Sequence, residues 1–505
     1  MNNSSRLKSA AMSSFTSAIY QIVVIVCGFV TSRLVIQTYG SSWNGVLASI
    51  TKFLSLFSIV EMGISGSTRV ALYKSFAQND IYKTSAIIKA NDNYYKRISL
   101  FLVFYVGILA LIIPVLVKSN QQPILVALMV VIVGLGSFAE NCWGINSKIL
   151  LMASQSRYVV NIAQSIAMIS NAFVLYIIVK HGGSIFVAKG GSSIVFSIVP
   201  IALYIITRKM FNLKKDVEPD KSALAGRWDV LANSLSNIIN ENVDVFFLTF
   251  LCASTEVSVY SLYFAVAGGL TKVFNVIING IEAGFGNMWV KGEMDTLQSN
   301  LRQFEYIMYT LASVLFGSMI VLIVPFMSVY MKGITDVNYQ RYALGLVLGI
   351  AQVLMSVRMP YVLLVQAAGH YKQVKLGAYL EAGINIVLTF VLVLKFGIIG
   401  AIIGTIVANG FRTIQYGYYV SKKMLNRSFR VISFRLLWLT IMVTVSVITS
   451  TFIINYISIN GWVTWVLAAM VTFFVHLLVV LFGSLLFYKN DLIGCRDIFI
   501  RLIKR

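Results

Sequence analysis

Eleven ionisable residues lie inside stretches otherwise apolar enough to cross a lipid bilayer: Arg33, Lys52, Lys272, Arg358 and Arg412, with Glu61, Glu140, Glu241, Asp244, Glu282 and Glu381. A charge at the bilayer centre costs roughly 2.5–3.5 kcal/mol on insertion scales. Glu61, Glu140 and Glu282 sit near span ends and can reach the interface. The other eight, left facing lipid, would together cost about 20–28 kcal/mol, more than a typical folding free energy. They must pair with one another or line water, so the chemistry of the chain is to be sought among them.

Two constellations follow from type and spacing. Arg33, Lys52 and Lys272 are cations without a carboxylate one helical turn away. In a wet cleft they would focus positive potential and attract a di-anion such as a pyrophosphate. Glu381 and Asn385, four residues apart, share one helix face. With Asp244 and Thr405 they would supply four hard oxygen donors, suited to Na⁺ or to a proton on either carboxylate. Each constellation has a structural alternative: the cations pair with Glu241, Asp244 or Glu381, and Glu381 pairs with Lys375 or Arg358. Polar stripes at helical spacing support solvated faces around both sets. One comprises Asn233, Asn237, Asn240 and Asp244; another comprises Thr405, Asn409, Arg412, Tyr416 and Tyr419. Asn161, Gln164 and Asn171 form a weaker stripe that reads as interhelical hydrogen bonding. His476 reads as a packing residue and His370 as a loop residue without chemistry.

The elements that must position these residues are membrane helices. Of 505 residues, 58% are hydrophobic and 12% charged, about half the charge of an average soluble domain. That excludes a water-soluble globule and a disordered chain. Cys27, Cys142, Cys252 and Cys495 have no metal-ligand spacing, which excludes a disulfide scaffold and a structural metal. The net charge of +22 does not indicate nucleic-acid binding, because the basic residues punctuate apolar runs rather than cluster on a soluble face. Fourteen runs reach spanning length: roughly 14–38, 43–66, 98–117, 123–145, 158–179, 184–206, 228–252, 258–282, 306–330, 341–366, 375–394, 397–420, 435–457 and 461–487. The first is too long for a secretory signal and is read as a span. With alternating loops, 30 Lys and Arg fall on one side and 6 on the other, which places both termini in the cytoplasm. The segment Arg69–Arg97 reads as a short amphipathic helix on the cytoplasmic membrane surface.

The chain also repeats itself. Thr51-Lys52-Phe53 with Glu61-Met62-Gly63 echoes Thr271-Lys272-Val273 with Glu282-Ala283-Gly284; Tyr204–Met210 echoes Tyr418–Met424. The common offset superposes spans 1–6 on spans 7–12, both copies beginning inside, which is a parallel repeat. The expected architecture is all-α: an N-terminal six-helix lobe over 1–210, a charged linker over 211–227 and a second six-helix lobe over 228–425. Two further helices and a basic tail follow over 426–505. The duplication makes Lys52 and Lys272 equivalent and would set them at facing sites.

Several segments taken in order resemble a known family. They are Ser32-Arg33 to Tyr39-Gly40, Ala71-Leu72-Tyr73-Lys74, Asn242-Val243-Asp244, Val259–Tyr263, Pro325-Phe326 to Tyr339, Arg358-Met359-Pro360-Tyr361 and Ala367–His370. Over about residues 10–430 the chain resembles the O-antigen and capsule flippases of the multidrug/oligosaccharidyl-lipid/polysaccharide exporter superfamily. The resemblance implies alternating-access flipping of an undecaprenyl-pyrophosphate-linked oligosaccharide across the bacterial plasma membrane, with H⁺ or Na⁺ coupling. It implies membrane lipids and glycan polymerase machinery as partners, and neither a cofactor nor enzymatic catalysis. Joined to the residue reading, it puts Arg33, Lys52 and Lys272 on the pyrophosphate, with Arg358 and Arg412 supporting it or the glycan path. Asp244, Glu381, Asn385 and Thr405 fall to ion coupling. A multidrug exporter of the same superfamily is the rival, though its cationic substrates call for an acidic cavity. A membrane glycan polymerase or ligase fits worse: the outer loops are about a dozen residues or fewer and no Asp-x-Asp motif occurs.

Overall fold

The structure, a computed structural model, describes residues 3–78, 80–214, 216–220 and 240–503, whose regular elements are all helices, with no strand among them. Two compact units divide the chain, Met1–Ser258 and Val259–Arg505.

The first unit contains α1 (Asn3–Tyr39), α2 (Ser41–Ser55), α3 (Ser58–Ala77), α4 (Ile81–Leu116), α5 (Pro123–Ala139), α6 (Ile145–Ala153), α7 (Arg157–Lys180), α8 (Ile185–Met210) and α9 (240–251). A π turn, Glu140–Gly144, joins α5 to α6. Its core gathers around α2, whose Trp43, Val46, Ile50 and Phe53 pack against Leu109 and Ile113 of α4, Met129 and Val130 of α5, Leu175 of α7 and Ala188 of α8. On the outer face of α4, Phe101, Phe104, Leu111 and Val115 are exposed, a surface stable only in hydrocarbon. The basic segment before this span is not a separate short helix. Asp80 caps Lys83 N at 2.8 Å, and nothing between Ile81 and Leu116 breaks the helix until Pro114, so the amphipathic part continues straight into the apolar one.

The second unit is built from the greater part of α10 (Ser254–Lys291), with α11 (Met294–Tyr330), α12 (Tyr342–Ala367), α13 (Tyr371–Tyr419), α14 (Arg430–Ile454), α15 (Trp462–Phe487) and α16 (Lys489–Ile503). The 49 residues of α13 are two spans joined by a reversal at Gly397, whose φ of 56° few residues other than glycine adopt. Contacts nest around that turn: Thr405 with Asn385, and Arg412 with both Glu381 and Val374. The expected spans 375–394 and 397–420 are therefore an antiparallel hairpin.

Eleven helices among the described residues are long and apolar enough to cross a bilayer. The fourteen expected spans reduce to this number for three physical reasons. The α13 hairpin counts once; the run 43–66 is broken at Leu56-Phe57 into α2 and α3; and the first half of 228–252 lies outside the described residues, within 221–239. Asn233, Asn237 and Arg227 fall in that last stretch.

Candidate functional site

In the first unit, Lys52 sits on the last turn of α2, half-buried, and its Nζ donates to the Glu241 carbonyl of α9 at 3.3 Å. The carboxylates of Glu241 and Asp244 lie within electrostatic reach of it. Asp244 is buried and Glu241, three residues before it and about sixty degrees round the helix, is exposed. The α2–α9 contact also includes Ser55 donating to Asn242 Oδ1 at 3.2 Å and Phe53 edge-on to Phe246, 4.6 Å between centroids. Lys52 thus stands beside two carboxylates without forming a close ion pair. Arg33 is half-buried on α1.

In the second unit, Lys272 is half-buried on α10, next to Thr271, whose hydroxyl donates to Gln352 Oε1 of α12 at 3.0 Å. The α13 hairpin brings Glu381, Asn385 and Thr405 together with both arginines. Arg358 of α12 meets Glu381 Oε1 at 2.5 Å, and Arg412 Nε meets Oε2 at 3.3 Å. Arg412 also donates to the Val374 carbonyl at 2.9 Å, to Gln415, and to the Tyr416 hydroxyl at 3.1 Å, with its guanidinium 4.3 Å over the Tyr416 ring. Below this triad, Asn385 Oδ1 accepts from Thr389 at 3.0 Å and from Thr405 at 3.3 Å. One carboxylate against two guanidinium groups leaves the cluster with a net charge of +1. Of the two readings open for Glu381, the pairing with Arg358 is the one formed in this conformation; a proton or cation arriving at Glu381 must compete with a guanidinium. Asp244 belongs to the first unit and the other three expected donors to the second.

Two groups escaped the sequence reading. Lys189, one of the six Lys and Arg counted on the outer side, lies in the second turn of α8 and lines a cavity in the first unit. A legible signal existed: Lys189, Ser192, Ser193 and Phe196 recur at helical spacing and all line it. The other is a buried ion network in the second unit. Glu305 of α11 is fully buried and accepts from Arg427 and, at 3.0 Å, from Arg435 of α14. Arg435 also meets Asp491 of α16 at 2.7 Å, which Arg302 reaches from the surface at 2.7 Å. Its members are scattered over nearly two hundred residues, so no local pattern announces it. His476 is fully buried, with Nδ1 3.1 Å from Ser450 Oγ and 2.9 Å from the Thr472 carbonyl, a packing role. His370 accepts or donates at 2.9 Å with the Tyr419 hydroxyl.

No protein-family model and no curated protein sequence matches the chain. Solved structures do. The lipid II flippase MurJ in an inward closed conformation aligns over 95% of this chain and 99% of its own, with a TM-score of 0.74 at 14% identity. An outward-facing multidrug resistance MATE family transporter of the MOP superfamily aligns over 81% and 94%, at 0.60 and 12%. The MATE multidrug transporter DinF-BH, solved with R6G, aligns over 82% and 95%, at 0.59 and 12%. At such identities what is shared is the fold: this chain is an all-helical, multi-pass membrane protein with the architecture that MurJ and the MATE transporters also carry.

Proposed function

We propose that the chain is a flippase that translocates an undecaprenyl-pyrophosphate-linked oligosaccharide across the bacterial plasma membrane by alternating access. The observation that carries the reading is the sign of the intramembrane charge on this fold. Of the eight deep charges named from the sequence five are cations and three are carboxylates, Glu381 offsets only one of the two arginines that share it, and Lys52 and Lys272 recur at equivalent repeat positions. A water-accessible set of cations favours a di-anionic head and disfavours cationic drugs. Arg33, Lys52 and Lys272 hold the pyrophosphate; Arg358 and Arg412 support it or the glycan. Asp244, Glu381, Asn385 and Thr405 form the coupling set for Na⁺ or H⁺, with a guanidinium exchanging for the ion at Glu381. The likeness to a protein described as a lipid II flippase supports a lipid-linked cargo of this class. Membrane lipids and the glycan polymerase machinery are the partners.

The MATE likeness supplies the rival, a multidrug exporter. One experiment separates them. Expressed in a bacterium deprived of its own lipid-linked glycan flippase, the chain should restore surface glycan and leave ethidium tolerance unchanged. Lys52→Ala with Lys272→Ala should abolish that restoration while membrane levels on immunoblot stay normal. Raised ethidium tolerance without glycan would establish the rival, and full export by the double variant would remove the cationic site.

A further inference from the structure

The cavity beneath Lys189 is used by none of these roles. It lies wholly within the first unit, among α2, the start of α3, α4, α5, the π turn and α8, and is a half-open cavity of about 500 Å³. Much of its wall is apolar, with Leu54, Phe57, Leu102 and Phe196 among its lining. Set into that wall are two polar groups without partners.

The first is the Lys189 ammonium, which has no hydrogen bond or ion pair among the described residues. One carboxylate, Glu140, lines the same cavity, but it is held by Lys148 at 2.6 Å. Glu140 adopts that pose by folding over Gly144, where a Cβ would stand 2.7 Å from its carboxyl carbon, so any larger residue there would displace the carboxylate. The cavity therefore keeps one uncompensated positive charge. The second is Asn141, buried at 3% exposure: its amide nitrogen donates to the Ser137 carbonyl at 3.1 Å, while Oδ1 has no donor. A buried acceptor left unmet is costly and uncommon. Both Glu140 and Asn141 sit on the π turn, a local insertion into a helix that recurs at functional sites. The nearby hydroxyls of Ser192, Ser193 and Thr51 donate to backbone carbonyls at 3.1, 2.7 and 2.8 Å, so they face the cavity as acceptors.

One cation, a row of acceptors and an apolar wall describe the complement of a ligand with an anionic group, hydroxyl donors and a hydrocarbon part. We infer that this cavity is a subsite for the head of a phosphorylated glycolipid. Lys189 takes a phosphate oxygen, Asn141 Oδ1 accepts from a sugar hydroxyl, and the apolar wall receives the first units of the lipid chain. A cationic amphiphile would meet an unpaired ammonium there. The inference rests on the flippase reading and names a site for the same substrate class apart from Arg33, Lys52 and Lys272.

The test uses the full chain in phosphatidylcholine nanodiscs and two probes, geranyl-pyrophosphoryl-N-acetylglucosamine and geranyl N-acetylglucosaminide. Lys189→Gln should weaken the pyrophosphate probe about tenfold and leave the neutral one unchanged. Lys189→Arg should retain most of the affinity, and Asn141→Ala should weaken both probes. Unchanged binding of the pyrophosphate probe by Lys189→Gln, or no binding by the wild-type chain, overturns the subsite. The two readings fail separately. Normal probe binding by Lys189→Gln with glycan restored by the wild type removes the subsite and keeps the function. Lys189-dependent binding in a chain that restores no glycan keeps the subsite and removes the function.

Discussion

Asp244 and Glu381 show how differently two intramembrane carboxylates can be placed. Glu381 has a guanidinium on each oxygen, so its charge is matched in the conformation described. Asp244 is buried one turn from the Lys52–Glu241 contact and acts on Lys52 through space. A lysine, a compact charge on a flexible stem, yields a carboxylate to Na⁺ or a proton more readily than two arginines that clamp it. Asp244→Asn, which keeps the shape and deletes the charge, should therefore flatten the dependence of transport on a Na⁺ or pH gradient in proteoliposomes. A gradient response equal to wild type would take Asp244 out of the coupling set. At this scale the types and spacings were legible: Glu381 and Asn385 on one face, Lys52 matched to Lys272. That Arg358 and Arg412 both converge on Glu381 was legible only as one alternative, because the partner of a buried charge depends on which helices adjoin.

Among the elements, α14 and α16 are tied to α11 by the network around Glu305. Both its anions are buried, and three arginines on separate segments converge on them. Removing one partner from such a set leaves a buried charge uncompensated, which costs roughly 3–5 kcal/mol. Glu305→Gln strands Arg427 and half of Arg435, and should lower the unfolding free energy by about that amount in thermal or denaturant unfolding of the purified chain. Arg302→Gln is the contrast. Arg302 is half exposed, so its loss should cost under about 1 kcal/mol. Equal effects of the two would contradict the burial argument. The break at Leu56-Phe57 and the reversal at Gly397 belong to this scale too. Hydropathy saw one span across the first and two across the second, and the backbone bore out only the latter, since glycine in the left-handed region can reverse a chain and Leu56-Phe57 carries no sequence signal of a break.

For the whole molecule, the decisive quantity is the asymmetry of charge along the chain. Thirty Lys and Arg on one set of loops against five on the other, once Lys189 is placed in α8, is the basis on which we propose that both termini lie inside. A fluorescent protein fused after Arg505 should fluoresce, and alkaline phosphatase fused at the same place should be inactive, whereas a phosphatase fusion in the loop after Lys332 should be active. The reverse pattern would invert the orientation and, with it, the direction of the proposed transport. The contact pattern adds that residues up to Ser258 pack with the first unit, so α9 and Asp244 are grouped there.

From the sequence came the class and its grammar: a polytopic helical membrane protein, electropositive, with charges too expensive to face lipid. Those follow from composition and period, which each residue carries wherever it ends up. Tertiary structure decided which charges neutralise one another, that Lys189 lines a cavity rather than a loop, and that Asn141 keeps an unmet carbonyl. Such facts arise from contacts between residues tens to hundreds of positions apart, and helix packing alone chooses them.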